Sequence, residues 1–313
     1  MNSNYPNISC TDFFQQQLAG WPEAAERFRN LEETCRSKEL PYEYSCLKAQ
    51  FNPARVQSAK AKTDKQSIKR RSCFLCDDNR PKEQMYQDIC KGYQLLVNPF
   101  PILPVHFTIV AETHRPQEIL PAFSSYQMLL NRLSPYIVFY NGPSCGASAP
   151  DHMHFQAGNT DFLTLPDALE DAEQKEIAAD GASTLALVDT LPLKLFVIDA
   201  ATPEEGARLF GRLYKALPVP EGDYEPMMNI LAWGTPAGVR VAVVPRKRHR
   251  PSFYGTEGDD CMLISPASVD MGGVYITPRP VDFERFGADT VRRLLDELCL
   301  SESEINAIAS DVE

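Results

Sequence analysis

No apolar run in this chain is long enough to cross a bilayer; the most hydrophobic stretch, "TLALVDTLPLKLFVIDA", is broken by Asp189 and Lys194. The N-terminus, "MNSNYPNISCTDFF", lacks the basic region and apolar run of a signal peptide. Positive charge is also short: 31 Lys and Arg stand against 42 Asp and Glu, a net charge of −11. That argues against a general binder of nucleic acid or of an anionic membrane, since either needs a basic surface. No glycine-rich loop joins a strand to a helix, so the βαβ route to phosphate binding is missing. The nine cysteines form an odd set without secretory features, which predicts reduced thiols in a cytoplasmic protein.

What is present reads as an α+β protein. Residues 1–50 read as an N-terminal helical segment, from the spacing of Phe13, Phe14, Leu18, Phe28 and Leu31 around a break at Gly20 and Pro22. A first half (51–185) alternates strands such as "HFTIVAETH", "PYIVFYNG" and "HMHFQAG" with one amphipathic helix, "RPQEILPAFSSYQMLLNRL". A second half (186–313) repeats strand, helix and strand more weakly. In both halves a β-branched strand runs into His-Arg-Pro, at His114–Pro116 and His249–Pro251, which suggests an internal duplication. The paired histidines of the first half have no counterpart in the second.

The segment "GASAPDHMHFQAG" carries the chemistry. On a strand, His152, His154 and Gln156 share one face while Met153 and Phe155 share the other. A neutral imidazole at His154 can attack phosphorus with one nitrogen while the other N–H is held by an acceptor. Gln156 can donate amide hydrogens to a phosphoryl oxygen. Ahead of them, "YNGPSCGAS" offers Asn141, Gly142, Gly146 and Ser148, small and hydrogen-bonding residues that let backbone approach an anion. "CFLC" sets Cys73 and Cys76 at C-x-x-C spacing; with His114 and His152 they make a Cys₂His₂ set suited to tetrahedral zinc. Two basic stretches stand out: Arg55, Lys60 and Lys62, and Arg246, Lys247 and Arg248. At least one is expected to border the site and attract a polyanion.

"HMHFQ" resembles the His-x-His-x-Gln signature of the transferase branch of the histidine triad superfamily, which includes galactose-1-phosphate uridylyltransferase, diadenosine tetraphosphate phosphorylase and the GDP-hexose phosphorylases. "FNPAR", "CFLC", a strand ending in "ETH" and "NG…GAS" are similar to further landmarks of that branch, together covering roughly residues 51–158. The resemblance implies two tandem histidine-triad-like halves, antiparallel sheets flanked by helices, with the second degenerate. It implies that His154 is the nucleotidylated residue, that Gln156 contacts the phosphoryl group, and that Asn141 and Ser148 bind phosphate. It also implies structural zinc on Cys73, Cys76, His114 and His152. Asp151, between Pro150 and the histidines, is an addition to the uridylyltransferase pattern.

The expected activity is therefore nucleotidyl transfer or phosphorolysis through a nucleotidyl-histidine. The substrates would be a nucleotide sugar or dinucleoside polyphosphate together with phosphate or a sugar phosphate. No nucleic-acid or membrane partner is expected, and a homodimer is left open. Two alternatives remain: a nucleotide hydrolase on the same fold, and a non-catalytic, zinc-stabilised nucleotide-binding protein.

Overall fold

The computed structural model describes residues 9–42, 45–56, 65–258 and 260–312. Helices α1 (Cys10–Gly20) and α2 (Pro22–Thr34) open the chain, the first capped by the Ser9 side chain and the second begun by a proline. They are followed by β1 (Arg36–Tyr42) and β2 (Ser45–Phe51), so the segment expected to be helical ends in a hairpin. A short helix α3 (Lys65–Arg70) leads to β3 (Gln87–Cys90), β4 (Tyr93–Val97) and β5 (His106–Ala111). Next come α4 (Phe123–Leu133), β6 (Ile137–Asn141), β7 (His154–Gly158) and α5 (Leu165–Asp171). The second half holds β8 (Lys175–Asp180), β9 (Ser183–Val188), β10 (Leu195–Ala200), α6 (Pro203–Ala216), β11 (Met228–Thr235) and β12 (Gly238–Pro245). The chain closes with α7 (Ser268–Met271), β13 (Val274–Thr277), α8 (Pro280–Arg285), α9 (Ala288–Leu298) and α10 (Glu302–Val312). No helix among the described residues is long and apolar enough to cross a membrane.

Ten strands form one sheet in the order β3-β4-β5-β7-β6-β11-β12-β10-β9-β8, and every pairing in it is antiparallel. Read from either edge to the centre, the two halves have the same topology: a hairpin, a third strand, a helix, then two strands of which the last inserts between its predecessor and the third. The duplication is therefore real, but its residue match differs from the one His-Arg-Pro suggests. His249–Pro251 follows β12, which occupies the place of β7, whereas His114–Pro116 follows β5. The expected boundary at 185/186 also falls inside β9; the repeated order begins at β8.

Strand alternation gives the sheet two apolar faces. One, with Phe107, Val138, Phe155, Phe196 and Ile230, is covered by α1, α2, α4, α6 and α10; Phe123 and Phe210 stack across the junction of the halves at 3.9 Å. The other, with Ile137, Phe139, Leu195, Leu231 and Val244, packs against α5, α9 and the small sheet β1-β2-β13. On this second face β5 and β7 present His106, Thr108, His154 and Gln156 instead of apolar side chains. A covered face that turns polar over two adjacent strands is a place for a ligand.

The second basic stretch proves to be largely structural. Arg246 is 2% exposed and donates to the Asn229 side chain and to the carbonyls of Arg248, His249, Pro266 and Leu298. Lys247 is exposed, and Arg248 pairs with Glu297. Arg246 thus joins the β12 end to α9 and is not a phosphate contact. Arg246→Ala leaves several buried acceptors unpaired and is expected to cost about 3 kcal/mol or more in urea unfolding, against roughly nothing for Lys247→Ala. Equal stability of the two variants would contradict this role.

Candidate active site and metal centre

The β5–β7 register sets Val110 against His154 and Thr108 against Gln156. Met153, Phe155 and Ala157 fill the core beneath, so the odd positions of the segment anchor what the even ones present. His152 lies just ahead of β7 rather than within it.

His154 is buried, and its Nδ1–H donates to the His152 carbonyl at 2.8 Å. That bond fixes the tautomer with the lone pair on Nε2, for which the described residues offer no partner. Burial is the largest influence on its pKa, which falls to about 4, so the ring is neutral at ordinary pH. A neutral imidazole with one nitrogen spent and the other free is poised as a nucleophile.

Gln156 is oriented by a residue the sequence reading left out. His106, fully buried and lowered by burial to about 3, accepts the Ile102 N–H at Nδ1 and donates from Nε2 to Gln156 Oε1 at 2.9 Å. The amide oxygen of Gln156 is thereby occupied, and its NH₂ has no partner among the described residues. The signal was available: His106 and Thr108 stand at alternate positions of "HFTIVA", where both faces of a buried strand should be apolar.

The loop between β6 and β7 treats its predicted residues unequally. Asn141 Oδ1 accepts from Asn229, from the Ser268 backbone and from the Ser268 hydroxyl, which leaves its NH₂ free among the described residues. Gly142 spends its N–H on the Met228 carbonyl, and a Cβ there would lie 2.8 Å from that oxygen. Its contribution is therefore close packing, not a hydrogen bond to phosphate. Gly146 has φ +99° and abuts Ala267, so only glycine fits the turn. Ser148 is exposed, and its carbonyl receives Arg71, which also pairs with Asp151 at 2.9 Å. Arg55 is near enough to Asp270 and His106 to shift both, and its own pKa is lowered to about 10, chiefly by burial. Lys60 and Lys62 lie outside the described residues.

Cys73 and Cys76 of one loop, His114 after β5 and His152 ahead of β7 converge from three segments, their donor atoms all within 4.8 Å of one another. The Cys73 sulfur is 3.3 Å from His152 Nδ1, and the Cys76 sulfur 3.2 Å from His114 Nδ1. His152 Nε2–H donates to the Ala111 carbonyl, which turns Nδ1 toward the thiols, while Asp151 lies 3.8 Å from His114 Nε2. Burial first, then the adjacent Cys73, raises the Cys76 pKa; a cation between the sulfurs relieves that repulsion. Two thiols and two imidazoles, each imidazole offering Nδ1, fit a divalent metal of the zinc kind.

The second half has the same scaffold with different contents. β5 and β10 are each six residues long. Superposing them aligns His106 with Leu195, Thr108 with Val197 and Val110 with Asp199. The strands paired to them then bring Arg240 to the place of His154 and Ala242 to that of Gln156. Arg240 is closed by Asp199 and Glu170, so that position holds an ion pair and no nucleophile.

The topology is a histidine-triad-like α+β fold of two similar halves, as the "HMHFQ" resemblance implied. A family described as "Domain of unknown function (DUF4922)" matches residues 13–159. Protein APA1 of Saccharomyces cerevisiae is 37% identical over a 91-residue alignment that covers 25% of this chain and 28% of that protein. The chain thus matches well under a third of this curated relative's length. Among solved structures, yeast Ap4A phosphorylase Apa2 is similar with a TM-score of 0.56 at 17% identity, covering 89% of this chain and 94% of that one. The same yeast enzyme in complex with Ap4A gives 0.54 at 16% identity, over 89% and 96% of the two chains.

Two expectations follow. Because the four metal donors come from three separate segments, stripping a bound metal should lower the melting temperature by about 5 °C or more, with Cys73→Ser reproducing the loss. An unchanged melting temperature after chelation, with the metal shown to be removed, would contradict the cross-link. The second concerns Glu225, buried behind the site, which accepts from Tyr140 Oη and the Ile119 N–H. Burial raises its pKa from 4.5 to about 7. The native state therefore holds this proton more tightly than the unfolded chain, and the associated stability is full below pH 4.5 and lost as pH rises through 7. Relative to Glu225→Gln, the wild type should lose about 2 kcal/mol between pH 5 and 8 in urea unfolding. A difference independent of pH would contradict it.

Proposed function

We propose that this chain is a nucleotidyltransferase of the phosphorylase kind, acting on a dinucleoside polyphosphate or a nucleotide sugar through a nucleotidyl-histidine. His154 Nε2 attacks the α-phosphorus, forming a P–N bond as the P–O bond to the leaving group breaks. The electron pair departs on the leaving phosphate or sugar phosphate. The positive charge that develops on the ring is shared through Nδ1–H with the His152 carbonyl. Phosphate or a sugar phosphate then attacks the same phosphorus and restores the neutral imidazole. The free NH₂ groups of Gln156 and Asn141, with Ser148, Arg55 and Lys60, receive the phosphoryl oxygens. Cys73, Cys76, His114 and His152 would hold a zinc ion, which would supply a structural cross-link and keep the His152 carbonyl beside His154. Free thiols throughout suit a reducing, cytoplasmic setting.

The observation that carries this reading is the double orientation of the site: His154 donates backward from Nδ1, and Gln156 is turned by His106 with its NH₂ outward. The likeness to a yeast Ap4A phosphorylase favours a dinucleoside polyphosphate over a nucleotide sugar. A hydrolase reading fits less well. Glutamine carries no proton to give at neutral pH, so the leaving group must depart unprotonated, as a phosphate can and an amine cannot.

Turnover of Ap4A, nucleotide sugars and a nucleoside phosphoramidate, each with water or phosphate as acceptor, tests the proposal. Phosphoanhydrides should be cleaved efficiently, phosphate should accelerate release at least tenfold over water, and His154→Ala should abolish both reactions. A preferred phosphoramidate with no acceleration by phosphate would establish a hydrolase instead.

A further inference from the structure

The ladder between β6 and β7 stops where the site begins. The two strands pair at Ile137–Gly158, Val138–Ala157 and Phe139–Gln156. Two residues further the same register sets Asn141 against His154, a position where antiparallel backbones would exchange N–H···O bonds directly. They do not. The side chain of Gln117, fully buried, stands between them: its Oε1 accepts the His154 N–H at 2.8 Å. Its Nε2 donates to the His154 carbonyl at 2.9 Å and to the Asn141 carbonyl at 3.0 Å. One primary amide thus replaces the missing ladder bonds and holds two strands apart by its own width.

The wedge is itself fixed. Gln117 N–H donates to the Pro150 carbonyl, its carbonyl accepts Tyr224 Oη at 2.9 Å, and two residues on Glu225 takes the Ile119 N–H. Every polar atom of Gln117 is therefore committed to backbone or to an anchored partner, and none is left for a ligand. Residues opposite one another in an antiparallel pair project from the same face, so Asn141 and His154 both look out of the opening.

We propose that Gln117 is a positioning residue that sets the width of the slot between His154 and Asn141, into which a phosphoryl group fits. This rests on the nucleotidyl-transfer reading above. Without the amide, the two backbones would close toward direct pairing and bring the imidazole and the Asn141 side chain together. A displacement of about 1 Å at a reacting group costs roughly a hundredfold in rate.

The test uses the full, metal-replete chain as wild type, Gln117→Leu and Gln117→Asn. The leucine keeps bulk and deletes every hydrogen bond. The asparagine keeps the amide but withdraws it by one methylene. Measured are kcat and KM with Ap4A and phosphate as probes, metal content, melting temperature, and hydrogen exchange of the His154 amide. Both variants are expected to lose at least about thirtyfold in kcat with KM within about threefold, while bound metal is retained. The His154 amide should exchange at least about tenfold faster in Gln117→Leu. A folded Gln117→Asn with kcat within threefold of wild type would overturn the proposal, as would an unchanged exchange rate in Gln117→Leu; should the leucine variant not fold, the asparagine variant decides. If the wild type turns over neither Ap4A nor any nucleotide sugar, the transfer reading falls and the exchange rates alone decide the wedge, measured in Gln117→Asn where the leucine variant is lost.

Discussion

A neutral imidazole held in one tautomer is the constraint around which this molecule is arranged. His154 can act as a nucleophile only if Nδ1 keeps its proton and Nε2 keeps its lone pair. Burial lowers its pKa to about 4, and the His152 carbonyl takes the Nδ1–H. That carbonyl must in turn stay still. His152 is held at its ring by the Ala111 carbonyl on one side and by the cysteine cluster on the other. The candidate metal cluster and the proposed nucleophile are thus joined by one two-residue step of chain.

The second half contributes support more than chemistry. Asn229 and Ser268 occupy the oxygen of Asn141 and so decide which way its amide faces, while Arg246 holds Asn229 from behind. Where the first half has His154 and Gln156, the second has Arg240 and Ala242, the former locked in an ion pair. Duplication with loss of one site explains why an apolar strand face is interrupted on one side of the sheet only.

Much of the site was legible because it obeys strand periodicity. The alternation in "HMHFQ" separates His154 and Gln156 from Met153 and Phe155, and C-x-x-C with two distant histidines is a chemically coherent donor set. Three features escaped. His106 opens a strand rich in apolar residues, and only its alternation with Thr108 marks the polar side. Gln117 bonds solely to backbone and to the anchors around it, so nothing in its neighbours announces what it does. Arg246 sits in a run of cations that reads as a polyanion-attracting cluster, yet the fold lays it under five acceptors. The duplication was visible, but His-Arg-Pro offered a false register, because a three-residue identity carries less information than the pairing of ten strands.

Transfer through this site requires a covalent bond to His154 Nε2. Incubation with Ap4A in the absence of phosphate, acid-free quenching and peptide mapping with ³¹P–¹⁵N correlation reads that bond directly. One adenylyl group on Nε2 of His154, discharged on addition of phosphate, is the predicted result. An adduct on Nδ1 or on another residue, or turnover with no adduct at any time, would contradict it.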